Sequence, residues 1–142
     1  MILIVFQPDP MLLLKRKTLL FTEELNYFKV VSRGERWHFA EVIQNANKIH
    51  QAIQKSPYKL VLLDYRETCY HLPQNQTFNL VKVFEIQLSK FKEVKIAVIV
   101  SNRSKEIGSF WSSVCRSKGL DCNIYNEVKE GENWLASHFS TY

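Results

Sequence analysis

The chain has 142 residues, 46% of them hydrophobic and 23% charged, which is the composition of one ordinary globular domain. Its net charge of +5 is scattered apart from a cluster at Lys15, Arg16 and Lys17, and this pattern argues against nucleic-acid binding. The three cysteines, at positions 69, 115 and 122, have neither metal-site nor disulfide spacing, so we expect reduced thiols in a cytoplasmic protein.

The first 14 residues are apolar but have the features of neither a signal peptide nor a membrane span. Their basic cluster follows the apolar run, Pro8 and Pro10 interrupt it, and it is shorter than the ~20 residues of a span. We therefore expect a single domain over residues 1–142, in which residues 1–17 form an edge strand or an arm.

Two strand-like segments come next, Leu19–Glu24 and Tyr27–Ser32, and their proximity predicts a hairpin. We expect Arg33-Gly34-Glu35 to end the second strand. An exposed strand edge invites pairing with another chain, so the hairpin edge is also a candidate surface for a homodimer.

Helical stripes and buried strands alternate through the rest of the chain. The helix over Trp37–Lys55 should end at Ser56-Pro57, because the residue before proline avoids the helical region. The apolar run Lys59–Asp64 predicts a strand buried on both faces, as in a parallel sheet. The later predicted elements are a loop at Thr68–Gln76, a helix at Asn75–Phe91, a strand at Val94–Val100, a helix capped by Ser104 and ended by Gly119, a strand at Asn123–Tyr125, and a helix at Val128–Phe139 capped by Asn126.

This order predicts an α/β fold with a mostly parallel sheet, an N-terminal hairpin and alternating helices. In such sheets, ligands and partners meet the carboxyl ends of the strands. We expect an exposed contact surface there, with Tyr65, Arg66 and Tyr70 as its anchors. The candidate binding residues are Asp64, Tyr65, Arg66, Glu67, Tyr70, Ser101 and Asn102.

The sequence allows two interpretations of Asp64. It is either a phosphate acceptor or general base, or a structural carboxylate paired with Arg66 or another basic side chain. Since no second carboxylate cluster accompanies it, we favour the structural role.

Motifs for nucleotide, metal or hydrolase chemistry are absent from the sequence. It contains no GxGxxG, GxxxxGK[ST] or GxSxG, and its four histidines form neither an i,i+4 pair nor an HExxH. We therefore predict a non-enzymatic protein with no catalytic residues, no cofactor and no metal site.

Two segments have a familiar form, KLVLLDYRE at Lys59–Glu67 and NIYNEVKEGENWLASHF at Asn123–Phe139 with its Trp134-Leu135 pair. Together with the element order over Thr18–Phe139, they resemble the anti-sigma factor antagonist (STAS-like) fold group. The resemblance is to small bacterial STAS-like proteins of unknown function, of the Bacteroidetes type. It implies a STAS-like β/α superhelix in a regulatory domain that acts by binding another protein.

The chain departs from that group at two places. Regulatory members are phosphorylated on a serine in an Asp-Ser loop after the central strand, where this chain has Asp64-Tyr65-Arg66-Glu67-Thr68. The resemblance therefore does not extend to the phosphorylation switch. Relatives usually have alanine in the closing helix where this chain has Gly131, which lowers helix propensity by ~1 kcal/mol.

Response-regulator receiver domains offer a second resemblance, with Asp64 and Ser101 at the expected strand ends. Receivers also need an acidic pair after the first strand to hold magnesium, and a lysine after the last strand. This chain has Phe6-Gln7-Pro8-Asp9 and Tyr125-Asn126-Glu127 there. A working receiver is not predicted, and a degenerate receiver-like domain stays an alternative.

The leading hypothesis is thus a STAS-like domain that binds a protein partner. A carrier of a small apolar, lipid-like ligand is the alternative, because STAS-like relatives share their architecture with lipid-binding domains and the chain has nine Phe and six Tyr. That alternative requires a large apolar pocket between the sheet and its helices. A third hypothesis is an enzyme with Asp64 as its base.

Overall fold

A computed structural model describes residues 17–139, apart from 74, 77–78, 81, 84–88 and 92. The helices and strands of these residues are β1 (Thr18–Glu23), β2 (Phe28–Arg36), α1 (Phe39–Lys55), β3 (Leu60–Tyr70), a 3₁₀ turn (Ser89–Phe91), β4 (Lys95–Ile99), α2 (Lys105–Ser117), β5 (Asp121–Tyr125) and α3 (Val128–Ala136).

The five strands form one sheet in the order of the chain, β1-β2-β3-β4-β5. β1 and β2 are an antiparallel hairpin, and every later pair is parallel. The predicted fold class is therefore confirmed: a mixed α/β domain with a mostly parallel sheet and an N-terminal hairpin.

Helices cover both faces of the sheet. One face carries α1 and α2, which bury Ile49 and Trp111 against residues such as Val61 and Leu63. On the opposite face α3 buries Leu135 against a smaller cluster that contains Leu62. Successive residues of β3 thus reach opposite cores, which is why the run over 60–64 is apolar without alternation.

Strand lengths differ from the prediction at the carboxyl ends of β2 and β3. β2 does not end at Arg33-Gly34-Glu35 but continues to Arg36, since Gly34 adopts the left-handed region with φ 107°. β3 does not end at Asp64 but continues to Tyr70, so the loop expected from Thr68 was wrong over its first three residues. The two extensions pair with each other, Gly34 with Thr68 and Arg36 with Tyr70.

The predicted helix starts were close, but their caps were not. Ser104 occupies the N-cap of α2, yet its Oγ accepts a hydrogen bond from the backbone N–H of Ser101. Glu127, not Asn126, is the N-cap of α3. Cys115 and Trp111 lie in the core as predicted, and Gly119 follows α2 in the left-handed region.

Part of the prediction falls outside the described residues. Of the edge strand or arm predicted over residues 1–17, residues 1–16 lie outside them. Of the helix predicted at Asn75–Phe91, residues 75–76, 79–80 and 82–83 are helical, and Phe91 ends the 3₁₀ turn. Leu80 and Phe91 are both buried in the core under α1.

Candidate functional site

A β-bulge in β3 determines which side chains reach each face at the carboxyl edge of the sheet. The β2–β3 register steps from Val31 opposite Asp64 to Arg33 opposite Glu67. Ser32 therefore faces two residues of β3, of which Arg66 is the extra one. Such an insertion reverses the alternation of side chains beyond it.

Asp64 is held by the bulge residue Arg66. The Arg66 guanidinium donates from Nε to Oδ1 at 2.9 Å and from Nη2 to Oδ2 at 2.8 Å, and its backbone N–H donates to Oδ1 at 3.2 Å. The Asp64 side chain is 7% exposed and that of Arg66 44%. This two-pronged contact is the strong geometry for an arginine–carboxylate pair, and it raises the pKa of Arg66. Asp64 is paired with Arg66, as the structural interpretation predicted, but it is buried and does not lie on the exposed surface that we expected at this edge.

The other residues predicted for this edge lie near Arg66. Ser101 donates its hydroxyl to the Arg66 carbonyl oxygen at 2.7 Å, which joins the loop after β4 to the bulge. Asn102 is exposed. Glu67 pairs across the sheet with Arg33, with Oε2 2.6 Å from Nε. The edge is therefore a polar surface whose ions pair with one another.

Tyr65 and Tyr70 do not lie on that surface, contrary to our expectation. Tyr65 is 5% exposed and packs in the core below α1 and α2. Tyr70 comes after the bulge, so it returns to the α1 face, where it accepts a hydrogen bond from Asn45 Nδ2 at 2.6 Å. Burial raises the pKa of both phenols.

Asn45 lies at the centre of a buried polar cluster that the sequence did not reveal. Its Nδ2 also donates to Ser32 Oγ at 3.3 Å, and Thr68 Oγ1 donates to the same oxygen at 2.8 Å. We call Ser32, Asn45, Thr68 and Tyr70 the Asn45 cluster. It connects α1 to the carboxyl ends of β2 and β3, and the asparagine in an otherwise apolar helix stripe was its only sequence signal.

A groove of about 560 Å³ runs between β1 and α1, beside this cluster. We call it the β1–α1 groove. Leu19 and Phe21 form its apolar side, while the polar residues of α1 form the other. Its charged lining residues are four cations and one carboxylate: Lys17, Arg36, Lys48, Lys55 and Glu41.

The outer strand β1 carries an apolar surface. Leu20 is 51% exposed and Phe21 42%, and because they are successive strand residues they lie on opposite faces. Leu25, in the hairpin turn, is 89% exposed. Within the described residues no strand pairs with the outer edge of β1.

Among the described residues, the cavity between the sheet and the helices α1 and α2 is small by comparison. The cavity below α1 and α2, lined by Ile49, Leu63 and Trp111 among others, holds about 40 Å³. Pockets for organic ligands usually measure about 300–1,000 Å³. In the described part of the chain, no three side chains of His, Cys, Asp or Glu converge on one point, and no helix has the length and apolarity to cross a bilayer.

Comparison with known proteins identifies the architecture. No family model and no curated protein matches the sequence. Among solved structures, the chain is similar to an uncharacterized protein of the DUF3478 family from Shewanella loihica PV-4, which has a SpoIIAA-like fold. The TM-score is 0.53 and the identity 16%, over 83% of this chain and 92% of that one.

The chain has a SpoIIAA-like fold. This result agrees with the STAS-like architecture expected from the sequence. At 16% identity the likeness extends to the fold alone, so the role of each residue in this SpoIIAA-like domain has to be argued from its own contacts.

Proposed function

We propose that this SpoIIAA-like domain is a non-enzymatic interaction domain with a regulatory role, and that it binds its protein partner along the outer edge of β1. The observation that supports this most strongly is the exposure of Leu20 and Phe21 on a strand whose outer edge has no partner among the described residues. An edge strand offers free backbone donors and acceptors, and proteins normally protect it with charge, proline or a covering element.

β-strand addition would use these features together. Backbone hydrogen bonds along β1 supply affinity, and alternate side chains of the added strand contact Leu20 on one face and Phe21 on the other. The added strand belongs either to another protein or to β1 of a second copy. The second case is the homodimer predicted for the hairpin edge.

The carboxyl edge of the sheet gives less support for a contact. Two of its three expected anchors, Tyr65 and Tyr70, are turned toward α1, and the third, Arg66, is engaged by Asp64. Interface hot spots are usually aromatic or arginine side chains that enter a partner's pocket. Of the three expected anchors, only Arg66 reaches this surface, and it would have to leave Asp64.

Contacts at Asp64 and Thr68 also support a role without catalysis or phosphorylation. Asp64 accepts three hydrogen bonds from Arg66, which leaves little capacity for a general base. Thr68 is fully buried and hydrogen-bonded, so a kinase cannot reach its hydroxyl. The 40 Å³ cavity gives no support to an internal lipid carrier, and we do not propose one.

The test is site-specific photo-crosslinking in the native cell, with the crosslinker placed at position 20, 21 or 66 of the full chain. We expect crosslinks to one defined protein from positions 20 and 21 and none from position 66. Light scattering on the purified chain shows whether that protein is a second copy.

Variants complete the test. Leu20→Lys with Phe21→Lys should abolish the contact, because charge on an edge strand opposes pairing. Val83→Lys is the matched control, since Val83 is 46% exposed but lies outside β1. Crosslinks from position 66 alone would show that the contact lies at the carboxyl edge. The absence of crosslinks from all three positions would reject the interaction role.

A further inference from the structure

Arg36 is a buried cation that no carboxylate balances among the described residues. It is 4% exposed, and its Nη1 donates a hydrogen bond to the Gly34 carbonyl oxygen at 3.3 Å. Its Cζ also lies 5.9 Å from the centre of the Tyr70 ring. Among the described residues no Asp or Glu forms an ion pair with it. Buried charges are normally paired, because their removal from water is costly.

The carboxylate of the β1–α1 groove does not fill this role. Glu41 pairs with Lys17, and that contact is the main reason why the pKa of Glu41 is lowered. Lys48 and Lys55 add further positive charge along the same side of the groove. The groove is therefore positive. Arg36, its most buried cation, has no carboxylate partner among the described residues.

Across the groove from Lys48 and Lys55 the lining is apolar. Leu19 and Phe21 come from β1 and point to the α1 face, since they pair with Ser32 and Val30 of that face. Phe21 is 42% exposed there, in contact with the Phe28 ring at a centroid distance of 6.0 Å. A groove lined by both apolar and cationic side chains suits a molecule that has both characters.

We propose that the β1–α1 groove binds a small organic anion, a carboxylate or phosphate carried on an apolar group. Arg36 binds the oxyanion with the guanidinium donors that Gly34 leaves unused, and Leu19 and Phe21 contact the apolar group. Guanidinium groups bind carboxylate and phosphate in two-pronged fashion. The volume of about 560 Å³ lies in the range of small-ligand sites. The groove shares Phe21 with the protein contact proposed along the edge of β1, but anion binding depends on Arg36 and strand pairing on the backbone of β1, so each proposal can fail alone.

Four defined probes test it on the full chain by backbone-amide NMR titration. Hexyl phosphate and hexanoate carry both characters, hexanol only the apolar one, and inorganic phosphate only the charge. We expect at least one of the two anions to bind about ten-fold more tightly than hexanol and inorganic phosphate, with shifts centred on Leu19, Phe21 and Arg36. Comparison of the two anions then tells whether the site favours carboxylate or phosphate.

Three variants with the same loss of charge identify the contact. Arg36→Gln should weaken binding of the better anion about ten-fold or more, as expected for loss of a charged hydrogen bond. Lys48→Gln, at an exposed position in the groove, should weaken it a few-fold, and Lys129→Gln, on α3 across the sheet, should have no effect. If Arg36→Gln does not fold, the anion affinity of Lys48→Gln and the location of the NMR shifts on the unmodified chain decide whether the anion binds in the groove.

Several results would each overturn the proposal. They are a failure of both hexyl phosphate and hexanoate to bind more tightly than hexanol and inorganic phosphate, shifts centred away from the groove, and no binding of any probe. Unchanged affinity in a folded Arg36→Gln variant would do the same.

Discussion

Gly131 of α3 lies directly over Ile99 of β4, with no room for a side chain between them. A Cβ atom at Gly131 would come within 2.6 Å of Ile99 Cδ1 and 3.4 Å of Ala97 Cβ. Glycine therefore lets the helix approach the sheet closely enough to bury Leu135 and Ile99 completely. Glycine is unfavourable in a helix, but at this position the packing against the sheet requires it.

Gly131→Ala should destabilise the fold although alanine favours the helix. The propensity gain is about 1 kcal/mol, whereas forcing a methyl group into a packed core usually costs about 1–3 kcal/mol. We expect a net loss of about 1 kcal/mol in the free energy of unfolding, measured by urea denaturation. Asn133→Ala, at an exposed position of the same helix, should be neutral or stabilising.

The clash with Ile99 can be tested by a double mutant. Ile99→Val removes the Cδ1 atom that the alanine methyl would contact. Gly131→Ala should therefore cost less in the Ile99→Val background than in the natural one. Equal losses in the two backgrounds would show that the contact with Ile99 is not the cause.

The two members of the Asp64–Arg66 pair should differ in their sensitivity to substitution. Arg66→Gln leaves a buried carboxylate without its guanidinium, whereas Asp64→Asn leaves a half-exposed arginine that can turn to water. We expect Arg66→Gln to cost about 2 kcal/mol and Asp64→Asn about 1 kcal/mol in the free energy of unfolding. Arg103→Gln, on an exposed neighbouring turn, is the control. A larger loss for Asp64→Asn than for Arg66→Gln would contradict this.

The fold was predictable because its signals are local. Apolar stripes spaced by three and four residues located α1 and α2, and the uninterrupted apolar run before Asp64 identified a strand buried on both faces. Each of these patterns involves only residues that are close together along the chain, so it can be recognised in a single sequence.

The candidate site was less predictable because it depends on strand pairing. The polar residues after Asp64 continue β3 only because the extended end of β2, through Gly34 to Arg36, pairs with them. The bulge at Arg66 then reverses the face to which each later side chain of β3 points, so the side chain of Tyr70 lies on the α1 side of the sheet. The position of such an insertion depends on how the two strands pair, so the apolar run before Asp64 does not reveal it.

Loss of the central side chain of the Asn45 cluster should destabilise the protein more than its size suggests. Asn45→Leu removes the donor to Tyr70 Oη and to Ser32 Oγ while both oxygens stay buried or half-buried. We expect a loss of about 2 kcal/mol in the free energy of unfolding. Gln44→Leu, the exposed neighbour on α1, should change it by less than about 0.5 kcal/mol. Comparable losses for the two variants would mean that these hydrogen bonds are not stabilising.

The tyrosines should make the fold sensitive to high pH. Burial raises the pKa of Tyr27, Tyr65, Tyr70 and Tyr125 above the ordinary value of about 10, and for Tyr27 the hydrogen bond that it donates to Glu132 adds to the effect. The folded state then keeps phenol protons that the unfolded state releases. The stability due to these groups is present below about pH 10 and is lost as the pH rises above it.

Spectrophotometric titration checks this directly, because tyrosinate absorbs where tyrosine does not. Near pH 10 the folded protein should show only part of the absorbance expected for six tyrosines. The remainder should appear together with the loss of circular dichroism at higher pH, and Tyr27→Phe should reduce that late fraction. If the full absorbance developed near pH 10 with the dichroism intact, the phenols could not be buried as described.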